Sequence, residues 1–207
     1  RPRGALAWPV ALAAAAIAWF ATAWADGRTL ALRDVLCDFL PWREHAAAAL
    51  AEGSLPFWSH ASRFGQPFLA HPQSAVLYPP HLLWNVLPSV TALDVVLAGH
   101  LVLAALGAYG LARRLGLLPA ASALAGAGVA FSTWTAAQME FLSAFETIAW
   151  GPLTALLAVR AVDALAAHGV RGARRPLGGL ALAWGVQALA GHPQALFQNV
   201  VVVAVVA

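Results

Sequence analysis

Residues 5–25 read ALAWPVALAAAAIAWFATAWA, a run of about 20 apolar positions with no charged side chain among them. A helix of that length reaches across the ~30 Å hydrocarbon core of a bilayer. Arg1 and Arg3 precede the run and an Ala-X-Ala follows it, as in a signal peptide. The run exceeds the ~7–15 residues of a signal core, however, and further apolar runs follow it. Spans are expected at 5–25, 91–112, 118–138, 144–166 and 177–191, with a sixth that starts near 195 and is cut off at 207. With 61% hydrophobic and 10% charged residues, the chain falls far below the ~25% charge of soluble domains. A soluble core could not hide that much apolar surface, whereas a bilayer makes hiding it unnecessary. The expected fold class is an all-α polytopic membrane protein. The chain starts at Arg1 and ends inside an apolar run, so residues 1–207 are expected to be an N-terminal fragment of one transmembrane domain.

The high isoelectric point, near 10, does not mark a nucleic-acid surface. All twelve basic residues are arginines, the net charge is +3, and no basic run exceeds two residues. Nucleic-acid binding would gather them on one face with aromatics between. A single cysteine, Cys37, excludes an internal disulfide. The arginines do orient the spans. With the N-terminus cytoplasmic, Arg1, Arg3, Arg113, Arg114, Arg160, Arg171, Arg174 and Arg175 lie inside. Arg28, Arg33, Arg43 and Arg63 lie outside, beside five acids. That asymmetry follows the positive-inside rule and puts the loop 26–90 on the extracytoplasmic face. Glu140, Glu146 and the turn around His192 face the same compartment.

Within the loop, PWREHAAAALAEG (41–53) predicts a short helix, with Pro41 in its first turn and Gly53 at its stop. Trp42, Ala46 and Leu50 share one face, which suits a helix lying along the membrane surface. The following stretch to Trp84 holds too many Pro and Gly for a regular element and is expected to fold back over the spans. Asp94 is expected to cap the second span. Trp24, Trp84 and Trp134 read as interface anchors.

Asp34 and Asp38, in LRDVLCDFLPWRE, share one face if that stretch is helical. A carboxylate beside an apolar surface has its pKa raised and suits a general base. The plainer reading is an acid pair balanced by Arg33 and Arg43. His45, His60, His71, His81 and His192 all fall on the outer side. No pair has the compact spacing of a helical ligand motif, so no metal residues are assigned and a divalent ion is not indicated as a cofactor. Hydrogen bonding to phosphate or sugar hydroxyls is the expected role for part of this set, and Arg63 is the best single anion contact. His-Pro-Gln occurs twice, at 71–73 and 192–194. His71, Gln73, Tyr78, His192 and Gln194 therefore join His60, Arg63 and Glu140 as candidate substrate-binding residues. His100 lies deeper in the second span, where a polar side chain is costly.

The string GSLPFWSHASRFGQPFLAHPQSAVLYPPHLLWNVLP resembles the first outer loop of the YfhO-like family of bacterial membrane proteins. Gly53, Leu55, Pro56, Trp58, Gly65, Pro67, Phe68, Ala70, Pro72, Gln73, Tyr78, Pro79 and Pro80 match its pattern in register. RDVLCDFLPWRE, AWGPL (149–153) and AGHPQALF (190–197) also resemble family segments. Ser59-His60 replaces the usual Asn-Pro, and Met139-Glu140 stands where a histidine is expected nearby. The resemblance implies a GT-C-like transmembrane helix bundle in the bacterial cytoplasmic membrane. It implies a glycosyltransferase that moves a sugar from a polyprenyl-phosphate donor to a cell-envelope polymer or lipid acceptor. In that reading Asp34, with Asp38 second, is the catalytic base. A transporter or lipid flippase and a non-catalytic accessory protein are the alternatives. Membrane lipids are expected partners and nucleic acid is not.

Overall fold

The computed structural model describes residues 6–29, 33–60 and 64–206. The described residues are 78% helical and nearly all-α. Helix α1 (Ala7–Ala25) leads, through a π-helical turn (Val35–Phe39), into α2 (Leu40–Ala51). Two-residue strands β1 (Trp58–Ser59) and β2 (Gln66–Pro67) pair antiparallel, with Trp58 opposite Pro67. Short 3-10 turns at Pro72–Ser74 and Pro79–Asn85 precede α3 (Ser89–Arg114). Helices α4 (Pro119–Ala130), α5 (Thr133–Gln138), α6 (Leu142–Ala149), α7 (Gly151–Leu189) and α8 (Pro193–Val206) complete the described chain.

Among the described residues, three helical stretches are long and apolar enough to cross a membrane: Ala7–Ala25, Ser89–Arg114 and Leu142–Leu189. In α1 only 18% of the apolar window is buried, and Leu6, Val10, Ile17 and Trp19 face outward. Water does not tolerate so large an apolar surface, and lipid does. These helices are compatible with a membrane protein.

The third stretch folds back on itself. Gly169 has φ 62° and ψ −171° inside α7. Ala155 and Ala158 pack with Leu180 and Trp184, and a Cβ on Gly179 would meet Leu157 at 3.8 Å. In an unbroken helix residues 157 and 179 would stand about 33 Å apart. The expected spans 144–166 and 177–191 are thus the two arms of one hairpin-like helix.

The expected span 118–138 is corrected. It breaks after α4, where Ser132 is extended and its side chain accepts the Thr135 N–H, capping α5. The 12 residues of α4 reach about 18 Å, short of the hydrocarbon core.

Helix α2 matches the predicted 41–53 helix closely. Gly53 (φ 72°) and the Ser54 N–H to Ala49 carbonyl bond close its C-terminus. Its apolar face, however, packs on protein: Trp42 and Ala46 join Phe20, Phe39, Phe68, Trp84, Leu97 and Phe145 in the main core. Trp84 is accordingly a core residue rather than an interface anchor, and its indole N–H donates to Ser89 Oγ at 3.1 Å. Asp94 does not cap α3, which begins five residues earlier at Ser89, and instead accepts a hydrogen bond from the Thr29 hydroxyl.

Candidate functional site: an acid-bearing turn locked onto the bundle

Asp34 immediately precedes the π-helical turn and Asp38 lies within it, both half-buried. The Leu40 N–H reaches the Val35 carbonyl five residues back. That wider turn brings residues four apart to nearly the same side, and such turns recur at functional sites. Val35 and Phe39, each next in sequence to an aspartate, are buried in the core. Arg33 enters the turn with a positive φ of 21°, and its Nε donates to Glu140 beyond α5. Glu140 is therefore committed to an ion pair with the acid-bearing turn.

Arg43 does not balance the two aspartates at the surface. It is only 1% exposed, and Nη1 donates to the carbonyls of Ser74 at 2.6 Å and Gln73 at 3.2 Å. Burial pushes its pKa down to about 10, which leaves it cationic at neutral pH. Ser143 on α6 also donates to the Gln73 carbonyl. Next to this, His81 Nδ1 donates to the Ala75 carbonyl at 3.0 Å, and Nε2 lies 2.7 Å from Glu146 Oε1. Because Nδ1 already carries a hydrogen, the Nε2 to Oε1 contact requires another hydrogen between those two atoms. Burial and the nearby Arg43 guanidinium push the His81 pKa down.

Tyr78 extends the network. Its hydroxyl accepts from Trp150 Nε1 at 2.8 Å and donates to His100 Nε2, while His100 Nδ1 donates to the Val96 carbonyl at 2.7 Å. This sequence of bonds fixes the His100 tautomer. Burial pushes the Tyr78 pKa up, so the phenol keeps its hydrogen. Tyr78 is fully enclosed, and its single hydrogen is already committed to His100. His100 is thus a packed, hydrogen-bonded histidine.

The two His-Pro-Gln copies meet. A Cβ on Gly191, just before the second copy, would lie 2.0 Å from the Pro72 carbonyl oxygen. They border a cleft of about 290 Å³ lined in part by His71, Pro72, Ser74, Gly191, Pro193 and Leu196. The His71 ring stands edge-on to Trp42 at 5.0 Å. Gln73 is half-buried and Gln194 exposed. His192 N-caps α8, its Nδ1 accepting the Ala195 N–H at 3.1 Å. His60 is exposed beside Trp58, away from the buried network, and Arg63 lies outside the described residues. Among the described residues no three of His, Cys, Asp and Glu gather as a metal site needs.

In comparisons with known proteins, no family model, curated protein or solved structure matches this chain.

The pairing of His81 with Glu146 and the burial of Arg43 escape sequence reasoning. One signal was available: Glu146 is an acid inside the apolar run LSAFETIAW, and an ionisable residue there calls for a partner. The partner lies 65 residues away, with no local pattern linking the two.

Proposed function

We propose that the chain is part of a membrane glycosyltransferase of the YfhO-like, GT-C type, moving a sugar from a polyprenyl-phosphate donor to a cell-envelope acceptor. The observation that carries this reading is the half-buried acid pair, Asp34 and Asp38, on a π-helical turn that Val35 and Phe39 anchor in the core. A groove of about 390 Å³ between α3 and α8 supports it. Ala104, Ala108, Val129, Phe145 and Val202 line it with apolar surface suited to a lipid chain.

In the proposed step Asp34 takes the proton from an acceptor hydroxyl as that oxygen bonds to the anomeric carbon. The bond from the anomeric carbon to the donor phosphate oxygen breaks, and polyprenyl phosphate departs with the electron pair. Asp38 holds the acceptor or orients Asp34. His71 and Gln73, beside the cleft between the two His-Pro-Gln copies, hydrogen-bond the sugar or phosphate.

The test is sugar transfer from a polyprenyl-phosphate donor by the full-length protein. Asp34→Asn should lower kcat by about 10²–10⁴-fold, the usual contribution of a positioned base, and Asp38→Asn by less. Transfer undiminished in Asp34→Asn removes it as the base.

A further inference from the structure

The geometry points to Arg43, His81 and Glu146 as a buried lock that fixes the acid-bearing turn, and so Asp34 and Asp38, in one orientation against the bundle. The functional half of this inference rests on the reading above; the structural half does not.

The π-helical turn and α2 are one continuous helical segment, since Phe39 and Leu40 are both helical and the Leu40 N–H bonds back to Val35. Whatever holds Arg43 therefore sets the direction in which Asp34 and Asp38 project. Arg43 is held on two sides. Its Cζ lies 5.9 Å from the Phe39 ring centroid, and its Nη1 grips the Gln73 and Ser74 carbonyls. Those carbonyls belong to a segment that is tied in turn to the bundle. Ser143 on α6 reaches the Gln73 carbonyl, and His81 joins the Ala75 carbonyl to Glu146 on α6. Arg43, His81 and Glu146 thus couple α2, the His-Pro-Gln loop and α6.

The charges make this coupling hard to dispense with. Glu146 is 0% exposed and Arg43 1% exposed, and each charge feels the other. Arg43 Nε and Nη2 and Glu146 Oε2 are buried without a hydrogen-bond partner among the described residues. Glu146 also bonds His81, and Arg43 the Gln73 and Ser74 carbonyls, yet neutralising either charge removes one that stabilises the other in a low-dielectric interior. The remaining side-chain ion pair at the turn, Arg33 with Glu140, has its arginine 77% exposed. Such a pair holds weakly against solvent and salt. The buried set is the stronger tether.

Arg43 and Glu146 are positioning residues, and Cys37 reports on them. It is the only cysteine of the 207 residues, it is exposed, and it sits on the π-helical turn between the two aspartates. With any cysteine outside these 207 residues replaced by serine, a nitroxide spin label on Cys37 of the full-length protein in lipid nanodiscs reads the turn's mobility by electron paramagnetic resonance. Glu146→Gln and Arg43→Met should each add a mobile spectral component. In the unlabelled protein each should lower kcat for sugar transfer by about 10-fold or more with little change in KM, the pattern of lost orientation rather than lost binding. Arg114→Ala, which breaks the exposed Arg114–Asp163 pair, should change neither reading. Where a charge-removing variant fails to fold, Arg43→Lys and Glu146→Asp take its place, with the same mobile component expected because the charge is kept and the reach is altered. A Cys37 spectrum identical to wild type in the folded variants overturns the lock. A mobile component that appears only in the variants, with the wild-type protein devoid of transfer activity, leaves the lock standing and removes the transferase reading.

Discussion

Gly191 stands directly against Pro72: a Cβ at residue 191 would lie 2.0 Å from the Pro72 carbonyl oxygen, and the Gly191 φ is +86°. This contact brings the second His-Pro-Gln onto the first, so the turn between α7 and α8 supports the loop that carries His71 and Gln73.

Gly191→Ala should destabilise the protein by about 2 kcal/mol or more, because backbone must move and the left-handed conformation is strained for a side chain. Gly178→Ala is the matched control. It lies in α7 with nothing within 4 Å of its Cβ position and should be neutral or gain up to about 1 kcal/mol. Thermal unfolding in detergent compares the two, and equal melting points would disprove the close contact.

Tyr78→Phe keeps the ring's volume and removes the hydroxyl that Trp150 donates to and that donates to His100. Both partners are then left unpaired in the interior. The expected cost is about 1–3 kcal/mol, measured by denaturant unfolding in mixed micelles. A variant as stable as wild type would show that the network is not fully formed.

Small residues let the helices approach. A Cβ on Gly107 of α3 would lie 2.8 Å from the Leu153 backbone nitrogen of α7, and one on Gly126 of α4 would lie 2.7 Å from the Ala105 carbonyl of α3. Gly107→Ala and Gly126→Ala should each cost about 1–3 kcal/mol through overpacking. Gly128→Ala, with open space around it, should not. The melting temperatures of the three variants provide the check.

His192 should give α8 a pH-sensitive cap. Its Nδ1 needs a lone pair to accept the Ala195 N–H, and burial pushes its pKa down. The folded value lies below the unfolded one of about 6.5, so folding favours the neutral ring. The stabilisation is full above that pH and is lost as the pH falls through the lowered value. Wild type should lose more melting temperature between pH 7 and pH 5 than His192→Asn, which caps without titrating. Parallel curves for the two proteins would count against the cap.

Much of the helical framework was legible locally. The span read at 5–25 corresponds to α1, the helix at 41–53 to α2, and the span at 91–112 to α3. Apolar run length, Pro41 and Gly53 carry that information within a few residues of chain. The break of the 118–138 run was less legible. Its cause is local, a Ser132 side chain capping Thr135, but the apolar character of the run masks it. The site divides in the same way. Asp34 and Asp38 stand out as acids beside apolar sequence, and the repeated tripeptide announces itself. Arg43 reads as a surface charge and is in fact enclosed.

The sequence alone determined that this chain builds apolar helices joined by a proline-rich polar loop, because burial pattern and backbone punctuation are properties of neighbouring residues. It determined equally that the acids sit just after the first helix. Only the tertiary structure decided what the polar residues do. Arg43 meets the Gln73 and Ser74 carbonyls, His81 meets Glu146, and Gly191 meets Pro72, across separations of 30 to more than 100 residues. Hydrogen bonds and buried charges act over a few ångströms of space, so their partners are chosen by how the helices pack and leave no pattern along the chain.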